Sequence, residues 1–81
     1  MIPRNLLGDI ELELQNAIAH NTKFNSPHEG FCVLLEEVEE LKAEVFKNKK
    51  MRSKDLMYDE ARQVAAMAIR FMMDCCEVGG L

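Results

Sequence analysis

Four glutamates fall within five consecutive positions, Glu36, Glu37, Glu39 and Glu40, and a fifth, Glu60, follows twenty residues after Glu40, with Gln63 one helical turn beyond it. Carboxylates this dense either coat a solvated helix face or gather round a cation. Their angular position decides between the two. At about 100° per residue, Glu37 lies between Val33 and Leu41, four residues either way, and beside Leu34, so it borders an apolar seam. Glu40 follows by three and shares that side. Glu60 lines up with Val64, Met67 and Phe71 on the edge of a second apolar stripe, with Gln63 one turn along. Glu36 and Glu39 lean away from the seam, and Glu39 reads as solvated. Three carboxylates and one amide oxygen meeting between helices repel and desolvate one another unless a cation joins them. Oxygen ligands without sulfur or imidazole suit Mg²⁺ or Mn²⁺. The residues alone leave two readings open: a divalent-metal site of Glu37, Glu40, Glu60 and Gln63, or an acidic face in water.

The elements that must position these groups are helices. A first helix over about residues 9–20 carries Ile10, Leu14, Ala17 and Ile18 at helical spacing, with Glu11 and Glu13 on its other side. A polar loop, Asn21 to Asn25, follows. The second helix, about 27–47, has Ser26 as N-cap, Pro27 at its first position and Glu29 completing a capping box. Phe31, Leu34, Leu35, Val38, Leu41 and Val45 form its apolar stripe and expected core face. Asn48 to Arg52 reads as a turn. The third helix, about 54–77, is expected to stop at Gly79 and Gly80, with Ala61, Val64, Ala65, Ala68, Phe71, Met72 and Cys75 facing the core. A turn this short makes helices 2 and 3 antiparallel neighbours, and a rise of about 1.5 Å per residue sets Glu40 level with Glu60, and Glu37 with Gln63.

The expected fold is therefore all-α and a single domain over residues 1–81: a helical hairpin plus an N-terminal helix. A chain of 81 residues buries only roughly 60% of its unfolded surface. Hydrophobic residues at 48%, including six methionines, exceed what three thin helices hide in one copy. Self-association into a four-helix-bundle-like dimer or tetramer is expected. A net charge of −4 lacks the basic face of a nucleic-acid binder, so no nucleic-acid partner is expected. Cys32, Cys75 and Cys76 offer neither a disulfide framework nor zinc-ligand spacing, and no apolar run suits a signal peptide or membrane span. A cytoplasmic location without membrane association is expected.

The acidic pattern resembles that of the all-α nucleoside triphosphate pyrophosphohydrolases of the MazG-like superfamily, marked by an E-E-x-x-E helix followed by an E-x-x-D helix. Glu36-Glu37-Val38-Glu39-Glu40 matches the first part, and Glu60-Ala61-Arg62-Gln63 falls at the second, with Gln63 where the family has Asp. The likeness covers roughly residues 24 to 74, and HEGFCVLLEEVEELKAEVFK followed by EARQVAAMAIRF looks most like small MazG-related proteins of phage or bacterial origin. The resemblance implies Mg²⁺-dependent cleavage of a nucleoside triphosphate between the α and β phosphates, giving monophosphate and pyrophosphate. It implies Glu37, Glu40 and Glu60 as metal ligands and Glu36 as a water-orienting base. An amide at Gln63 can still ligate a cation but removes one negative charge, so weaker Mg²⁺ binding is expected.

Further residues are weaker candidates for substrate binding. His28, in the first turn of helix 2, could meet a phosphate or simply cap the helix. Lys54 belongs to a basic cluster round the turn that could attract a triphosphate, although cations near a helix C-terminus also complement its dipole. Arg62 and Arg70, on the polar side of helix 3, could contact substrate or pair with Asp59 and Asp74 at helical spacing. Two alternative readings remain: a degenerate relative that binds nucleotide or a protein partner without turnover, and a structural oligomerisation module.

Overall fold

The computed structural model describes residues 1–76, which form three helices, α1 (Arg4–His20), α2 (Pro27–Val45) and α3 (Lys54–Cys75). The stop expected at Gly79 and Gly80 lies outside the described residues. No strand occurs among the described residues, so the chain is all-α.

Helix α1 begins five residues before the expected start. Leu6 is half-buried and precedes Ile10 by four, so the apolar face continues across Gly8. That packing outweighs the cost of about 1 kcal/mol for a helical glycine. Pro3 supplies the first turn, its carbonyl accepting from the Leu7 N–H at 3.3 Å. At the start of α2, Ser26 Oγ accepts from the Glu29 N–H at 3.1 Å. The Glu29 carboxylate reaches back to Asn25 rather than Ser26, taking its backbone N–H at 3.0 Å and its side-chain amide at 3.2 Å. Helix α2 ends at Val45, two residues before the expected end. Asn48 then folds the turn, its Oδ1 accepting from the N–H groups of Lys50 and Met51. Ser53 caps α3, Oγ accepting from the Leu56 N–H at 3.2 Å.

Helix α3 is the central element, and both α1 and α2 pack on it. Gly30 meets Phe71 and Cys75 near one end of the hairpin while Glu40 meets Glu60 towards the other, so α2 and α3 run antiparallel as expected. Asp9 pairs with Tyr58 and Glu13 with Arg62, so α1 runs alongside α3 in the same direction. The core is thin: among the described residues the buried apolar side chains are those of Phe24, Ala66 and Met67. Gly30 permits the closest approach, since a Cβ there would lie 2.8 Å from Phe71 Cδ2 and 3.0 Å from Phe24 Cδ2. Gly30→Val should therefore destabilise the fold by about 1–3 kcal/mol through overpacking, read as a lower urea midpoint with an unchanged slope. An unchanged midpoint would show that the two rings yield freely.

The expected core face of α2 needs correction. Leu34 and Leu41 are half-buried, but Phe31, Leu35, Val38 and Val45 are exposed, Phe31 at 56%. The covered face instead runs through Gly30, Val33, Leu34, Glu37, Leu41 and Glu44. The apolar stripe is wider than one neighbouring helix covers. On α3, Ala61 and Met72 are exposed, whereas Ala66, Met67 and Arg70 are buried, because α1 and the following loop cover a face the hairpin alone would leave open.

Arg70, expected on the polar side of helix 3, is only 6% exposed. Its Nη2 donates to the Thr22 carbonyl at 2.5 Å, and its Nε lies 3.7 Å from Asp74 Oδ2, the ion pair expected from helical spacing. The guanidinium sits 4.0 Å from the centroid of the Phe24 ring, and Phe24 donates its backbone N–H to Asp74 Oδ2. This group pins the α1–α2 loop to α3.

Candidate metal centre

Val33, Leu34 and Leu41 seat α2 against α3, and that seating turns Glu37 inward with Glu40 beside it; α3 answers with Glu60. One carboxylate oxygen from each of Glu37, Glu40 and Glu60 lies within 4.8 Å of the other two. Glu37 and Glu60 are half-buried and Glu40 is exposed. Glu37 Oε2 and Glu60 Oε2 are shielded from solvent and have no hydrogen-bond partner. Burial, then the charges of Glu40, Glu60 and Glu13, push the Glu37 carboxyl up to about 7. Burial and the neighbouring Glu40 also raise Glu60 above the usual carboxylate range.

A fourth carboxylate comes from α1. Glu13, expected on the polar side of helix 1, is half-buried, and its Oε1 lies 3.3 Å from Arg62 Nε. Arg62 also holds Asp59, Nη1 to Oδ1 at 3.4 Å, as its helical spacing suggests. The Arg62 Nε is buried and close enough for ion pairing, but lacks hydrogen-bond geometry. The signal for Glu13 is in the spacing: it follows Ile10 by three and precedes Ala17 by four, on the face that meets α3.

Gln63 is half-buried on α3, one turn beyond Glu60. Glu36 is exposed and contributes no oxygen to the cluster. His28 is exposed nine residues before Glu37, about 14 Å along the helix. There it lines an apolar cavity of about 320 Å³ with Pro27, Phe31, Cys32 and Phe71. Lys54 is exposed at the first residue of α3. Arg62 alone among these weaker candidates reaches the acidic group, through Glu13.

Beside the carboxylates a groove of about 340 Å³ runs between α1 and α2, lined in part by Glu13, Asn16, Val33, Glu37, Met67 and Arg70. Buried carboxylate oxygens without donors are costly, and there are two ways to relieve them, a shared proton or a cation. The donor set is all oxygen and hard, drawn from two helices, and chemically suited to Mg²⁺ or Mn²⁺. No protein-family model, curated protein or solved structure matches the chain.

Proposed function

We propose that this chain is a Mg²⁺-dependent nucleoside triphosphate pyrophosphohydrolase, also able to use Mn²⁺, as its likeness to the MazG-like superfamily implies. The observation that carries the reading is the pair of buried, unpartnered oxygens on Glu37 and Glu60 within one carboxylate group. Glu37, Glu40 and Glu60 hold the cation, with the Gln63 amide as a further oxygen donor. The cation supplies neutralisation of phosphate charge and a more acidic water. The resemblance would give Glu36, exposed next to Glu37, the role of water-orienting base. Glu13, held by Arg62, adds negative charge beside Glu37 and keeps that carboxylate responsive to whatever cation or proton occupies the site.

The exposed stripe of Phe31, Leu35 and Val38 is covered by a second copy, giving a homo-oligomer built from four-helix units. No helix among the described residues is long and apolar enough to cross a membrane, and we place the protein in the cytoplasm, acting on free nucleotides. The amide at Gln63 favours a second reading, a degenerate relative that binds nucleotide without turnover, because the site carries one charge fewer than the family pattern.

The test is pyrophosphate release from a panel of ribo- and deoxyribonucleoside triphosphates with Mg²⁺ or Mn²⁺. Metal-dependent release of pyrophosphate, with no orthophosphate formed first, is expected from the wild type. Silence across the panel, with metal still bound, selects the degenerate reading.

A further inference from the structure

The connection between α2 and α3 gathers charge of one sign. Residues 46–54 hold five exposed cations, Lys47, Lys49, Lys50, Arg52 and Lys54, and no carboxylate, while the rest of the chain sets five cations against fourteen carboxylates. Lys47 pairs with Glu44 at 2.8 Å, and Arg52 Nη2 donates to the Lys47 carbonyl at 3.4 Å. Among the described residues Lys49, Lys50 and Lys54 enter no ion pair. The helix dipole accounts for Lys47 at the end of α2. It does not account for Arg52 and Lys54, which stand at the N-terminus of α3, where the dipole is positive and a cation is disfavoured. Charge set against the dipole and left without a partner suits an anion that the chain does not itself supply. The same tip is apolar: Phe46 is 76% exposed and Met51 67%, and Leu56, in the first turn of α3, is exposed as well.

From this pairing of cations with uncovered apolar side chains we infer that the tip of the hairpin docks on an anionic lipid surface. The lysines and Arg52 meet headgroup phosphates while Phe46 and Met51 enter the acyl boundary. Each Lys or Arg near such a surface adds attraction, and buried apolar area adds the rest. No spanning helix is needed, and none occurs among the described residues. End-on docking holds the acidic group back: Glu40 lies five residues behind Val45, the last of α2, or about 7.5 Å along the helix. That matches the screening length of about 8 Å at physiological salt. A nucleic acid fits less well. Its backbone calls for a basic face or stripe, whereas these cations are confined to one turn flanked by Glu44 and Asp55. Phe46 is also the one aromatic ring in the turn, where single-strand sites offer several for successive bases. A second copy docked tip to tip would bring like charges together.

Co-sedimentation of the full chain with vesicles tests this. Vesicles of equimolar phosphatidylserine and phosphatidylcholine should bind it at least about tenfold more tightly than phosphatidylcholine alone, and added salt should reverse the binding. Lys49→Gln together with Lys50→Gln, both at exposed positions, should weaken binding about tenfold or more. Lys23→Gln, at an exposed position in the α1–α2 loop, should leave it unchanged. The chain contains no Trp, so Phe46→Trp introduces a single reporter whose emission should shift to the blue on the anionic vesicles. Helix content by circular dichroism confirms that the variants fold. Equal binding to the two kinds of vesicle, or none, would overturn the inference, as would an unshifted emission or a lysine pair neutralised without loss. Retention on a single-stranded oligonucleotide in preference to the vesicles would assign the tip to nucleic acid. Salt-sensitive self-association without vesicle binding would assign it to the acidic surface of a second copy; either result overturns lipid docking. None of these outcomes bears on pyrophosphate release, so docking and hydrolysis stand or fall separately.

Discussion

Glu40→Gln should lower Mg²⁺-dependent pyrophosphate release at least about 100-fold, the loss of roughly 2.7 kcal/mol of transition-state stabilisation, while leaving the helix content unchanged. The change is isosteric and the side chain is exposed, so folding does not depend on it. Its oxygen nevertheless completes the group with Glu37 and Glu60, and a neutral amide binds a hard cation far less well. The reverse change, Gln63→Asp, restores a charge one turn beyond Glu60 and should lower the Mg²⁺ concentration needed for half-maximal rate about tenfold. The two variants are read together by steady-state pyrophosphate release across a Mg²⁺ titration. Full activity in Glu40→Gln would remove the carboxylate group from the chemistry. Activity gained only in Gln63→Asp would mark the wild type as the degenerate relative.

The second large effect is on stability against pH. The Glu37 carboxyl titrates near 7 in the folded chain against an ordinary value of 4.5, chiefly because it is buried and then because Glu40 lies beside it. Below the ordinary value both folded and unfolded chains carry the proton, and the group contributes nothing. Between 4.5 and 7 the unfolded chain releases the proton while the folded chain keeps it, so stability falls as pH rises. Above 7 the full loss is present. Holding a carboxyl one pH unit above its ordinary value costs about 1.4 kcal/mol, so the metal-free protein should be up to about 3 kcal/mol less stable at pH 8 than at pH 4.5 on account of this group. Solvent reaching the half-buried side chain reduces that figure. Glu37→Gln should flatten the profile and raise the urea midpoint at pH 8, and Mg²⁺ or Mn²⁺ should raise it in the wild type but not in the variant. A metal-free wild type equally stable at both pH values would show that Glu37 is not held away from water.

The local signals for this fold are strong where chemistry fixes a helix end. Ser26, Pro27 and Glu29 mark the start of α2, and the Ser26 cap forms as its sequence suggests. The acidic group is legible for the same reason. Glu37 sits between Val33 and Leu41 on the strip that seats α2, and the short turn sets Glu40 level with Glu60, so spacing alone brings three carboxylates together. What spacing does not show is how many neighbours each helix has. The stripe of Phe31, Leu35 and Val38 has the same periodicity whether it faces a core or open surface, and only the placement of α3 separates it from the strip that is covered. The burial of Arg70 is invisible to periodicity because its partners, Thr22 and Phe24, lie nearly fifty residues away in an irregular loop. Glu13 escapes notice because an acidic residue in an amphipathic helix is ordinarily assigned to water, although its spacing from Ile10 and Ala17 puts it on the face towards α3.

For the proposed activity to exist, Glu37, Glu40 and Glu60 must share one cation. Titrating Mn²⁺ into the protein at pH 8, with the bound ion followed by its electron paramagnetic resonance signal, tests this directly. The wild type should take up at least one Mn²⁺ per chain, with binding weakened tenfold or more by Glu37→Gln, Glu40→Gln and Glu60→Gln individually, and untouched by Glu39→Gln on the solvated face. Binding that all four substitutions weaken equally, or that none of them alters, would contradict a shared cation.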